Sequence, residues 1–143
     1  MQVAPRIKVA SSDPKIERLT FIADGYRLAG RLHHPGVEGF AVVIGSHGLE
    51  SDASSPKQRA LAEACTARGI AYLRFDHRGC GGSEGEFAAV TSLASRVADL
   101  LAAAAAVRRV PGFDGPIALF GSSLGAAVCM AAAGVLNPVA MVM

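Results

Sequence analysis

The chain has 143 residues, 51% of them hydrophobic and 18% charged, with a formal net charge of +2. That length suits a single domain with a core of its own, and so small and scattered a positive charge argues against a surface that tracks nucleic acid. Arg6, Lys8, Asp13 and Lys15 interrupt the first residues, which argues against a secretory leader, and Cys65, Cys80 and Cys129 show no C-x-x-C spacing. Reduced thiols in a cytoplasm are the expectation, not a disulfide framework.

In chain order, residues 1–15 give no regular pattern. Ile16 to Ala23 and Tyr26 to His33 flank the turn dipeptide Asp24-Gly25 and predict a hairpin. Phe40 to Gly45 is a continuous apolar run, as in a strand buried on both faces. Ser55-Pro56-Lys57-Gln58 forms a capping box with proline at the first helical position. The helix it opens, with Leu61, Ala64 and Cys65 on its apolar face, is expected to end at Gly69. Ile70 to Phe75 predicts the next buried strand, followed by a glycine-rich loop from Gly79 to Gly85. Thr91 or Ser92 opens a second helix, whose Leu93, Val97, Leu100, Leu101, Ala104 and Val107 recur at helical spacing until Pro111-Gly112. Ile117 to Phe120 predicts a strand, Ser123 to Leu136 a helix and Pro138 to Met143 the start of another strand. A hairpin followed by β-α-β-α-β-α-β means a single α/β domain, its sheet mostly parallel with helices on both faces.

Gly115 to Met143 carries no charged residue, long enough to suggest a membrane span. Pro116, Gly121, Gly125, Gly134, Asn137 and Pro138 break it up, and a buried strand–helix–strand accounts for both properties. No membrane association is expected.

Three loops carry unusual residues, each after the C-terminal end of a strand. They are Ser46-His47-Gly48-Leu49, Asp76-His77-Arg78-Gly79-Cys80-Gly81-Gly82-Ser83, and Gly121-Ser122-Ser123-Leu124-Gly125. In an open α/β sheet the ligand crevice lies at those strand ends. The last loop fits G-x-S-x-G between a strand and a helix, the setting that holds a serine hydroxyl exposed on a tight turn. With its three loops in this order, the chain from about Glu17 to Met143 resembles the α/β-hydrolase superfamily of serine hydrolases. It is most similar to the branch of small esterases, acyl hydrolases and serine aminopeptidases.

The resemblance implies that Ser123 is the nucleophile and that the backbone N–H groups of Leu49 and Leu124 form the oxyanion hole. It implies a small acyl substrate, an ester, thioester or amide cleaved through an acyl-enzyme, and no cofactor. It also implies an acidic residue and a histidine after later strands, yet between Ser123 and Met143 there is no His, Asp or Glu. The expectation is therefore an N-terminal part of the fold that lacks its last strands and has little or no turnover of its own. The alternative is a non-catalytic interaction module, partnered through an unfinished sheet edge by a second copy or by a complementing C-terminal segment.

The remaining polar residues suggest plainer roles. His47 reads as a loop histidine bonded to backbone, and Asp76 and Arg78 as paired with each other or with nearby backbone. Adjacent Asp76 and His77 on an extended strand point to opposite faces and form no relay. No spacing fits a metal site. The glycines at 79, 81, 82 and 85 miss the dinucleotide pattern G-x-G-x-x-G. Cys80 and Cys129 read as core fillers.

Overall fold

A computed structural model describes residues 15–143; the irregular N-terminus expected at residues 1–15 lies almost wholly outside the described residues. The elements are β1 (Lys15–Ala23), β2 (Tyr26–His34), β3 (Phe40–Ser46), α1 (Pro56–Thr66), β4 (Ala71–Phe75), α2 (Phe87–Val90), α3 (Leu93–Arg108), β5 (Phe113–Gly121), α4 (Leu124–Leu136) and β6 (Met141–Val142). The strands form one sheet in the order β1-β2-β4-β3-β5-β6. β1 and β2 make the hairpin predicted around Asp24-Gly25, and β2 also runs antiparallel to β4. β4, β3, β5 and β6 run parallel to one another. This is the expected mostly parallel α/β sheet with an antiparallel hairpin at one side.

Side-chain alternation along the strands decides which helix covers which face. Phe40, Val42 and Ile44 of β3, Leu73 and Phe75 of β4, and Ile117 and Leu119 of β5 share one buried cluster. Leu100, Ala103, Ala104 and Val107 of α3 join it, as do Val128, Cys129 and Ala132 of α4. The opposite face carries α1, where Tyr72 donates from its hydroxyl to Gln58 Oε1 at 3.2 Å. A side chain at Gly45 would collide with that same pair. The helices thus lie on both faces, and β4 meets both layers, with Tyr72 bonded to Gln58 of α1 and Leu73 and Phe75 in the cluster with α3 and α4.

Local signals set the helix starts. Ser55 accepts from Gln58 N, with Pro56 behind it. Ser92 and Ser95 cap each other reciprocally, each side chain accepting from the other's backbone N–H. α1 ends at Thr66, and Gly69 follows with φ +76°. Two helix faces differ in part from expectation. α1 buries Gln58 and Ala62, while Ala64 is exposed. α3 buries the expected Leu100, Ala104 and Val107 and packs Val97 and Leu101 against the core, but it also buries Arg96, Asp99 and Ala103, while Leu93 is 47% exposed. In both, polar residues with specific partners turn inward, and the apolar residues nearest the rim stay outside. The glycine-rich loop also leads, after Glu86, into the short helix α2 that the sequence did not announce.

Candidate active site

β3 and β5 run side by side, with Gly45 opposite Phe120 and Ser46 opposite Gly121. Their two following loops therefore emerge together at the C-terminal edge of the sheet. Ser122 N donates to Ser46 O at 3.3 Å, tying one loop to the other. A Cβ on Gly48 would stand 3.4 Å from Ser122 O and 3.6 Å from the Ser123 Cβ. Close approach is built in, because a Cβ on Gly125 would overlap Ser46 O and one on Gly121 would lie 2.6 Å from the Ala126 Cα. Only glycine lets α4 sit so near β3 and β5.

Ser123 occupies the N-cap of α4 with φ 57° and ψ −123°, and its side chain makes no capping bond. A serine at that position ordinarily accepts a first-turn N–H. Here the positive φ carries the hydroxyl outward, and the residue is exposed. Among the described residues the N–H groups of Leu49 and Leu124 have no acceptor. A cleft of about 540 Å³ opens over this bend, lined among others by Gly48, Leu49, Lys57, Phe120, Ser122 and Ser123. Lys57 Nζ stands 3.4 Å from Ser122 Oγ at its mouth.

Behind the cleft lies a buried polar network that the sequence did not reveal. Arg96 is fully enclosed, yet its guanidinium reaches three successive carbonyls, donating from Nη1 to His47 O (3.2 Å) and Gly48 O (3.1 Å) and from Nη2 to Leu49 O (3.2 Å). Nη2 also approaches Cys80 Sγ at 3.4 Å. Asp99, equally enclosed, accepts from Arg78 N at 2.9 Å, from Arg78 Nε at 2.8 Å and from His77 Nδ1 at 3.3 Å. Burial alone works to raise the Asp99 carboxyl, but the bonds from His77 and Arg78 outweigh it and hold the group below the usual range. Arg78 therefore pairs with Asp99, and through Nη2 with Asp24 at 2.8 Å, not with Asp76. Asp76 instead accepts from Ala53 N (2.7 Å) and Gly82 N (3.0 Å), which is the nearby-backbone role expected of it.

The ring protons follow from these partners. An ionised Asp99 can only accept, so His77 carries its proton on Nδ1, and Nε2 accepts from the Ser46 hydroxyl at 2.9 Å. Burial pushes His77 down from 6.5 to about 4, against the pull of Asp99 and with help from the charges of His47 and Arg96. At neutral pH the His77–Asp99 contact is thus a hydrogen bond to a carboxylate, not an ion pair. His47 accepts from His77 N at 3.0 Å through Nε2 and donates from Nδ1 to Gly48 O at 2.8 Å, both of them backbone contacts. Ser46, His77 and Asp99 stand in the bond order of a serine–histidine–carboxylate relay, but all three side chains are sealed from solvent.

No histidine is left for Ser123. His47 and His77 have both ring nitrogens engaged, His33 accepts from Arg74 Nε at 2.8 Å, and His34 accepts from Gly36 N within the hairpin region. Cys80 and Cys129 are buried and Cys65 partly so; burial raises all three thiols, Cys129 to about 11. Among the described residues no three His, Cys, Asp or Glu side chains gather as a metal site would require, and no helix is long and apolar enough to cross a membrane.

Comparison with known proteins gives this geometry a context. Residues 38–142 match the hydrolase family model described as "Serine aminopeptidase, S33". Est1E from Butyrivibrio proteoclasticus, solved with ferulic acid bound, is similar with a TM-score of 0.77 and 26% identity, over 83% of this chain and 48% of its own. The α/β hydrolase GrgF from Penicillium sp. matches with a TM-score of 0.75 and 27% identity, over 83% and 41%. A dienelactone hydrolase from Anabaena variabilis shares the fold, with a TM-score of 0.75 and 20% identity over 90% and 61%. The chain spans about half the length of the first two, and no curated protein sequence matches it.

Proposed function

The chain belongs to the serine aminopeptidase family of α/β hydrolases, and from that premise we propose that it carries the nucleophile half of a serine hydrolase site. In the complete site Ser123 Oγ attacks the acyl carbonyl of an ester, thioester or amide and forms an acyl-enzyme. The N–H groups of Leu49 and Leu124 receive the oxygen that gains charge, each contributing about 3–4 kcal/mol to the transition state. The α4 N-terminus adds its favourable dipole at the same point.

The observation that carries this assignment is the Ser123 backbone. At φ 57° a helix-capping serine is turned away from its own helix, beside two N–H groups without acceptors. A cleft of about 540 Å³ with Leu49 and Phe120 in its wall favours a small acyl group. Ferulic acid, bound to Est1E, is a ligand of that size class.

A serine hydroxyl needs a base, and all four histidines of the chain have other partners. The base and its orienting carboxylate come, in this proposal, from outside these 143 residues. The chain alone then turns over slower by about 10⁴- to 10⁶-fold than the completed site.

Fluorophosphonate labelling and p-nitrophenyl acetate hydrolysis test both parts. Slow labelling of the chain, absent in Ser123→Ala, is the expected result, with ester turnover close to background. Labelling that survives Ser123→Ala would remove the nucleophile assignment, and brisk turnover by the chain alone would remove the external base. A second reading, a non-catalytic module that pairs through its sheet edge, draws support from exposed Val139 and Val142 at the two-residue strand β6. A monodisperse dimer that never labels is the result that would favour it.

A further inference from the structure

A second polar cavity, of about 330 Å³, lies across the 52–54 loop from the cleft and has no part in the chemistry above. Three guanidinium groups line it from three elements: Arg31 of β2, Arg59 of α1 and Arg74 of β4. Arg31 and Arg74 are direct cross-strand partners. Like charges so placed destabilise an antiparallel pair, and a guanidinium cannot shed its proton to relieve the strain.

Among the described residues none of the three has a carboxylate within ion-pair distance. Two carboxylates, Asp52 and Asp76, also line the cavity, so three cations face two anions there, but the carboxylate oxygens bond to backbone N–H groups and to none of the three guanidinium groups. Asp76 accepts from Ala53 N and Gly82 N, and Asp52 accepts from Ser54 N at 2.7 Å. Arg74 is only 6% exposed; it donates from Nε to His33 and from Nη1 to Ala53 O at 2.7 Å, while its Nη2 has no partner among the described residues. Arg31 reaches only Gly30 O, at 3.2 Å, and the Arg59 guanidinium reaches nothing described. His33 adds no further charge, because burial first, then Arg74 and Arg59, lower it to about 4.

We propose that this cavity is a binding site for a phosphoryl group, free or carried by a small phosphomonoester. A phosphoryl group presents three or four acceptor oxygens, enough to take paired donors from more than one guanidinium fork, where a monocarboxylate presents two. The volume exceeds what a bare phosphate fills, which leaves room for an organic substituent. Arg59 is exposed on α1 and marks the open side through which a ligand enters. The site stands apart from the hydrolase assignment, because none of its lining residues lines the cleft over Ser123.

The test is titration of the full chain with sodium phosphate and with glycerol 3-phosphate at constant ionic strength, with sodium acetate as control. The readouts are Tm and the Arg Nε–H resonances. A saturable rise in Tm with either phosphate and none with acetate is expected. Arg59→Gln weakens the apparent affinity by about tenfold, the loss of one charge-assisted contact. Arg31→Gln does the same while raising Tm in the absence of ligand, because it removes the cross-strand repulsion. Equal affinity for both ligands assigns the inorganic ion, and tighter binding of glycerol 3-phosphate assigns the ester. No saturation up to roughly 20 mM, a concentration that would fill even a millimolar site, or wild-type affinity in both variants, overturns the proposal.

Discussion

At Ser123 two residue-level rules conflict, and the proposed nucleophile role explains which one yields. A serine N-cap ordinarily adds about 1 kcal/mol through its bond to a first-turn N–H. Ser123 makes no such bond and holds φ 57°, a conformation that costs a non-glycine residue about 1–3 kcal/mol. The fold is therefore weaker here than the same helix with an ordinary cap. Ser123→Gly should exceed Ser123→Ala in stability by about 1 kcal/mol, since glycine adopts positive φ freely. Urea denaturation of the two variants, both without the hydroxyl, checks this directly, and equal midpoints would mean the bend is unstrained.

At the level of elements, α3 does more than cover the sheet. Arg96 holds the carbonyls of His47, Gly48 and Leu49, so the helix fixes a loop that lines the cleft. Arg96→Met should cost about 3 kcal/mol, because buried carbonyls lose their donor, and should speed amide exchange at Ser51, whose N–H donates to the Gly48 carbonyl that Arg96 holds, about tenfold while α1 is unchanged. Thermal melts and hydrogen exchange read the two effects separately. Much of the rest was legible in the sequence. The hairpin, the strands, the caps at Ser55 and Ser92 and the strand–turn–helix at Ser123 all rest on neighbours in sequence. The apolar side of α3 at Leu100, Ala104 and Val107 was legible from its spacing, whereas the burial of Arg96 and Asp99 beside it was not. The partners that turn Arg96 and Asp99 inward lie up to 49 and 22 positions away, where no local pattern reaches.

Across the whole molecule, neutral histidines on both faces of the sheet tie stability to pH. His33, beside Arg74 on the α1 face, and His77, against Asp99 on the α3 face, both fall from 6.5 to about 4 on burial. The unfolded chain binds protons at these rings near pH 6.5, while the folded protein declines them until about pH 4. Stability therefore falls as pH drops through that window. Below it, protonation of Asp99, held low in the fold, takes away more. Melting curves at pH 7, 5.5 and 4.5 should show a steady decline, partly flattened in His33→Gln; a constant Tm would mean the rings are hydrated. The sealed row of Ser46, His77 and Asp99 carries a different consequence. A search for enzyme centres by atomic template would settle on Ser46 and pass over the serine that an electrophile can reach. Under the proposed assignment, reagent access and not bond order tells the nucleophile from an architectural serine.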